Sequence, residues 1–158
     1  MLYSTFYLDG TLMGLPIPCI LEIGRAFKIH PIQGAPELVD GLINLRGKVV
    51  TIVNTGLAFG GTKVQQTQES RIYILKNNNE LREVADPELD LQTSPDNIGL
   101  HVDKISDVIN VEKDQLQAVP ANINHPYYKN VVRRGDEFIT ILEPEKVLNL
   151  NEHQDLIS

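Results

Sequence analysis

The residue best placed to do chemistry is the arginine of Gly41-Leu42-Ile43-Asn44-Leu45-Arg46-Gly47-Lys48-Val49-Val50-Thr51-Ile52-Val53. Two apolar, β-branched runs flank one Arg-Gly pair, the pattern of a hairpin with a cation at its tip. Burying an unpaired cation is costly, so Arg46 reads as displayed. There its guanidinium can meet a carboxylate or amide oxygen of a partner, or pair with an acid of its own lobe and position the strand. The residues alone leave both readings open. Gly41 and Gly47 read as backbone requirements, for positive φ or close approach, rather than as contacts.

The other reactive side chains are scattered. His30, His101, His125 and His153 show no close pairing and no cysteine cluster joins them, so neither a metal nor a cofactor is expected. Cys19 follows Pro18 in an apolar run and reads as a packed thiol. Gly60-Gly61-Thr62-Lys63 lacks the order of a phosphate loop and the helix that should follow it. The acids of 86–96 miss calcium-loop spacing and read as a solvated loop. Glu143 and Glu145 flank a helix start, where they offset the dipole. No acid–base or metal constellation emerges, and the chain reads as a non-enzyme.

Short strands are what must position Arg46. Tyr3–Leu8 is aromatic and β-branched, Asp9-Gly10 is a hairpin turn signal, and Thr11–Ile17 is a strand that Pro16 places at an edge. Pro18 reads as the first residue of a short helix through Ile23, ended by Gly24. Pro31–Pro36 is a loop. After the central hairpin, Arg71–Lys76 is a strand. The stretch from Asn77 to Asn97 reads as a long exposed loop outside the core. Ile98–Val102 and Ile105–Val111 return to strand character, and Leu116–Pro126 is loop. Val131–Arg133 and Phe138–Leu142 form a final hairpin around Arg134-Gly135-Asp136. Pro144 opens a helix expected to run through Leu150, with Val147 and Leu148 inward. Several short strands with few helices suggest antiparallel β-barrels. Spacing does not say whether one or two.

With 158 residues, 42% of them hydrophobic, this is one domain by length, able to bury about two-thirds of its unfolded surface. A formal charge of −7 argues against nucleic acid, which needs a basic face. No apolar run approaches the roughly 20 residues of a membrane helix, so no direct membrane insertion is expected. The start lacks the basic residues of a signal peptide, and a single cysteine fits a reducing cytoplasm.

The Arg46 hairpin resembles the G-[VI]-[IT]-N-[IL]-R-G-x-[VI]-[VIL]-P-[VI] signature of the CheW family, the adaptors of bacterial chemotaxis arrays. Further elements follow in family order. Met13-Gly14-Leu15-Pro16-Ile17 and Leu21-Glu22-Ile23 precede the hairpin. Gly99-Leu100-His101-Val102-Asp103-Lys104-Ile105-Ser106-Asp107-Val108 and Ile139-Thr140-Ile141-Leu142-Glu143-Pro144-Glu145-Lys146-Val147-Leu148 come after it. The resemblance implies two intertwined five-stranded SH3-like β-barrels with a few short helices and a hydrophobic groove between them. It implies a single domain over 1–150, with lobes of roughly 13–70 and of 1–12 plus 71–150, then a polar tail over 151–158. It also implies a non-enzymatic role, coupling methyl-accepting chemoreceptors to the histidine kinase CheA at the cytoplasmic tips of receptor arrays. The alternative is an SH3-like interaction module of a divergent or non-chemotaxis system.

Site expectations follow from that resemblance. Receptor contacts are expected at Arg46, Ile20, Glu22, Val108 and Arg71. Ile20 reads as core ahead of contact, and Glu22 pairing with Arg46 would make both structural. Ile105, Val108 and Ile109 cannot all be buried on one strand face, so one of them should contribute to an exposed apolar patch. Kinase contacts are expected on the outer face of the first lobe at Leu42, Ile43 and Val50, although alternation does not say which face each takes. Where the family continues D-L-R after its hairpin, this chain has Asn54-Thr55-Gly56.

Overall fold

Asp9 and Gly10 take φ of +49° and +77°, the left-handed pair that turns the chain tightly between β1 (Leu2–Leu8) and β2 (Thr11–Pro16). The structure, a computed structural model, describes residues 1–25, 27–84, 91–123 and 125–148. The expected acidic loop over 86–96 lies partly outside them, and Leu150 and the tail over 151–158 lie wholly outside.

From Pro16 the chain crosses to a second sheet made of β3 (Ile20–Gly24), β4 (Val39–Leu45), β5 (Lys48–Asn54), β6 (Arg71–Leu75) and β7 (Ile98–Val102). It then returns to the first sheet as β8 (Lys104–Asn110), β9 (Tyr128–Arg134) and β10 (Glu137–Leu142). The first sheet is ordered β8-β1-β2-β10-β9 and the second β3-β6-β7-β5-β4, five strands each. The protein is thus mostly β, two intertwined five-stranded units with few helices. Most neighbours run antiparallel, but β10 with β2 and β5 with β7 are parallel, which corrects the all-antiparallel expectation. Each parallel connection runs through many intervening residues, so no local helical crossover announces it in the sequence.

The expected lobe boundaries also move. β2 stays with β1 because their hairpin is the shorter pairing, and β6 and β7 join β3 and β5. The first sheet therefore takes its strands from residues 2–16 and 104–142, and the second from 20–102.

Two further expectations change. Pro18 lies in a three-residue 3-10 turn, Ile17–Cys19, and Ile20–Gly24 is strand rather than helix. A helix so short cannot hold itself together in water, whereas β6 offers a ladder at Leu75, Ile74, Tyr73 and Ile72. The stretch after Asn77 does join the core. Asn77 caps α1 (Asn78–Val84) by accepting from Glu80 N, and Leu81 is buried. Asn97 donates to Leu75 O and to Glu80 Oε1, and Thr93 N donates to Asn78 Oδ1. Consecutive asparagines read as loop, yet here their amides satisfy helix and strand ends.

The largest core joins the sheets: Phe6, Leu8, Met13 and Leu15 from one meet Val53, Tyr73, Leu75, Leu100 and Val102 from the other. Tyr73 Oη and Ser4 Oγ hydrogen-bond across this joint at 2.8 Å. Each unit also has its own interior, Tyr3, Ile109, Val132, Ile139 and Ile141 in one and Ile43, Leu45, Val50, Ile52, Ile72 and Ile74 in the other. A further helix, α2 (Pro144–Val147), turns Val147 and then Leu148 inward.

Candidate functional site

The hairpin between β4 and β5 is built to raise one cation. Arg46 and Gly47 take φ of +51° and +88°, and Gly47 N donates to Asn44 Oδ1 at 2.7 Å, locking the turn. A non-glycine residue pays for a positive φ, so Arg46 is held by the turn on either side. Its Nη2 lies 2.6 Å from Glu22 Oε2 on β3, while its side chain is 71% exposed. The hydrogen bond from the guanidinium to Glu22, and then that carboxylate's charge, push the Arg46 pKa further up. Arg46 is therefore both paired and displayed. One nitrogen spans from the hairpin to the opposite edge strand, and the rest of the fork faces solvent.

β4 needs help along its outer edge, and His30 supplies it. His30 N donates to Leu42 O and Leu42 N donates to His30 O, at 2.8 and 2.9 Å. The approach is so close that a Cβ on Gly41, itself at φ +145°, would sit 2.2 Å from His30 O. Gly41 is thus a requirement of the backbone.

Register settles the faces that alternation left open. Ile43 pairs with Val50 and both point into the lobe, fully buried. As direct contacts with a kinase they are corrected: their side chains are core. Leu42 shares the outer face with Asn44, Val49 and Thr51, and it is half-buried. Val49, 70% exposed, was not singled out from sequence; the signal was its position between Lys48 and the inward Val50.

The remaining candidates sit apart. Ile20 packs against the inter-sheet core on β3, not on a helix. Arg71 starts β6 and donates to Gln68 O and Ser70 O, so it binds its own loop. Among Ile105, Val108 and Ile109, Ile109 lies inside the lobe with Tyr3, and Ile105 packs on the joint. Val108 is the exposed one, at 57%. It stands opposite Ser4, whose hydroxyl reaches Tyr73, so Val108 lies on the face its sheet turns toward the other. Arg46 and Glu22 come together; Val108 is on the other sheet.

A polar network missed from sequence lies beneath the segment Thr62–Gln66. His101 Nδ1 and Asp40 Oδ2 are 2.8 Å apart and nearly buried. Asn54 Nδ2 donates to Asp40 and to Val64 O, and its Oδ1 accepts from Val64 N. A Cβ on Gly56 would fall 1.9 Å from Thr62 O. Two of the departures from the family pattern, Asn54 and Gly56, thus have one physical account: both seat this strap. An aspartate at 54 would add a second carboxylate beside Asp40, and a side chain at 56 would displace the strap. Among the described residues no three His, Cys, Asp or Glu side chains gather to hold a metal, and no helix is long and apolar enough to cross a membrane.

Residues 3–152 match the family described as CheW-like domain. The chain belongs to the CheW-like domain family. It is 28% identical over 155 residues to the chemotaxis protein CheW of Treponema pallidum, covering 96% of this chain and 84% of that one. It is 24% identical over 136 residues to the chemotaxis protein CheW of Helicobacter pylori, covering 85% and 73%. The crystal structure of the scaffolding protein TtCheW from Thermoanaerobacter tengcongensis superposes with a TM-score of 0.78 at 24% identity, covering 95% of this chain and 93% of that one. That likeness shows a shared fold.

Proposed function

We propose that this CheW-family chain couples methyl-accepting chemoreceptors to the regulatory domain of the histidine kinase CheA, without catalysis, in the cytoplasm at the tips of receptor arrays. The observation that carries the reading is a family match across nearly the whole chain, both lobes included. An adaptor needs two separated contact surfaces on one rigid body, and the inter-sheet core supplies the body. For the receptor side, the reading uses the free part of the Arg46 fork and the exposed Val108. Glu22 aims Arg46, while Ile20 and Arg71 hold β3 and β6 in place. For the kinase side, it uses the outer face at Leu42, with Ile43 and Val50 packed beneath as its support. Modest single contacts suffice, because an array multiplies them.

Calorimetry of the purified protein with the regulatory domain of its own organism's CheA tests the kinase half. One-to-one binding at micromolar affinity or tighter is expected; no binding would move the protein to an SH3-like interaction module of another signalling system. For the receptor half, Arg46→Ala and Val108→Lys should each reduce receptor-stimulated kinase activity with the circular dichroism spectrum unchanged. Full activation by both variants would remove these residues from the receptor surface.

A further inference from the structure

The first sheet has an open seam where the second is tied by Arg46 and Glu22. Its edge strands β8 and β9 come round to line one open cleft of about 260 Å³, walled by Val108, Asn110, Gln115, Val132, Arg133 and Arg134 among others. Backbone groups face this cleft from both sides. Val131 exchanges hydrogen bonds with Gln117 off the outer edge of β9, so Arg133, two residues on, turns its N–H and C=O the same way. On β8, Val111 N donates to Met1 O, which assigns Ile109 to the β1 side and leaves Val108 and Asn110 facing the open side. An edge strand with outward N–H and C=O groups is a template for another strand.

The charge around the seam is selective. In a chain of net charge −7, Arg133 and Arg134 are both exposed and form no ion pair among the described residues. Arg133 Nε donates to Gly135 O, which leaves its terminal nitrogens unspent. Among the described residues no acid lines the cleft. Glu137 opposes Arg134 in register and Asp136 sits in the same turn, yet neither carboxylate reaches ion-pair distance. Glu112, nearby, is taken up by Asn110 Nδ2. Beside these cations stand two apolar side chains, Val108 and, paired across from Arg133, the 60% exposed Phe138.

We propose that this seam binds an extended acidic segment of a partner protein, which adds as a strand along β8 at Val108 and Asn110 and sets carboxylates on Arg133 and Arg134. Backbone pairing supplies affinity without regard to sequence, the two guanidiniums select acidic side chains, and Val108 takes an intervening apolar one. The seam shares Val108 with the receptor surface proposed above, while Asn110, Arg133 and Arg134 belong to neither that surface nor the kinase surface.

The test is a titration of the 15N-labelled full chain with the capped peptide Thr-Glu-Val-Glu-Val-Glu-Thr, followed by NMR. The amides of Val108, Asn110 and Arg133 should shift together, added salt should weaken binding, and the R133Q/R134Q double variant should bind at least about tenfold more weakly. Both arginines are exposed, so that variant keeps its fold. The proposal falls if those amides stay still, if the double variant binds equally, or if the matching peptide with Lys in place of Glu binds as well. Sodium phosphate reproducing the same shifts would leave an anion site and overturn the strand.

Discussion

Each sheet of this protein ends in an arginine-bearing hairpin, and the two solve the same problem differently. In the second sheet, Arg46 at the β4–β5 turn reaches 2.6 Å to Glu22 on the opposite edge strand, and His30 covers the β4 edge at Leu42. In the first, Gln117 covers the β9 edge at Val131, but Arg133 and Arg134 form no ion pair among the described residues, and Asp107 of β8 lies outside the cleft lining. One seam is tied and one is open. Edge strands invite pairing unless covered or charged, so the open seam is where this fold keeps capacity for another chain. The difference teaches that a cation at a hairpin tip has no fixed meaning; the strand that curls round to face it decides.

The comparison breaks most severely at Gly41. Gly41→Ala forces a Cβ into His30 O and a left-handed φ onto alanine, so the cover over β4 must come away. We expect a loss of about 3 kcal/mol in urea unfolding; a loss near zero would show that His30 is dispensable to the tied seam.

A medium effect concerns the joint between the two sheets, which should yield to alkali rather than to salt. Burial pushes the Cys19 thiol from 9.0 up to about 12, with Lys76 opposing. It likewise pushes the Tyr73 phenol from 10.0 to about 12, with the Ser4 hydrogen bond opposing. Both groups hold their protons more tightly folded than unfolded. Their contribution is therefore complete below about pH 9 and lost as pH rises through about 12. Urea midpoints measured across that window should fall steadily in the natural protein and less steeply in Cys19→Ala. Parallel curves would mean the thiol does not couple to folding.

Glu22→Gln is expected to have the smallest effect on stability, because exposed ion pairs contribute little. Its unfolding midpoint should stay close to the natural one, and in both proteins salt should move it only slightly. What should change is the freedom of Arg46, read as faster side-chain relaxation by NMR. A large drop in the midpoint would instead show that the Glu22–Arg46 pair is a structural closure of the lobe.

The legible part of this protein was local. Asn44-Leu45-Arg46-Gly47 announced a turn with a displayed cation because positive φ and side-chain capping are written in residue types over a few positions. Likewise, Asp9-Gly10 marked its hairpin, and Val147 and Leu148 their inward face. Period two said that only some of Ile105, Val108 and Ile109 could be buried, since a strand has two faces. Family order carried the two-unit architecture.

Tertiary structure decided what depends on partners far away in sequence. Ile20–Gly24 is strand because β6 is there to pair with it. Asn77 caps a helix, Asn78 accepts from Thr93 and Asn97 donates to the end of β6 because those groups come within reach of their amides. Which of Leu42, Ile43 and Val50 faces outward followed from register, and a one-residue slip would have exchanged them. Asp40, Asn54 and His101 meet only because β4, β5 and β7 lie side by side. Residue types specify what a side chain can bind, and only the folding of distant strands onto one another specifies what it finds.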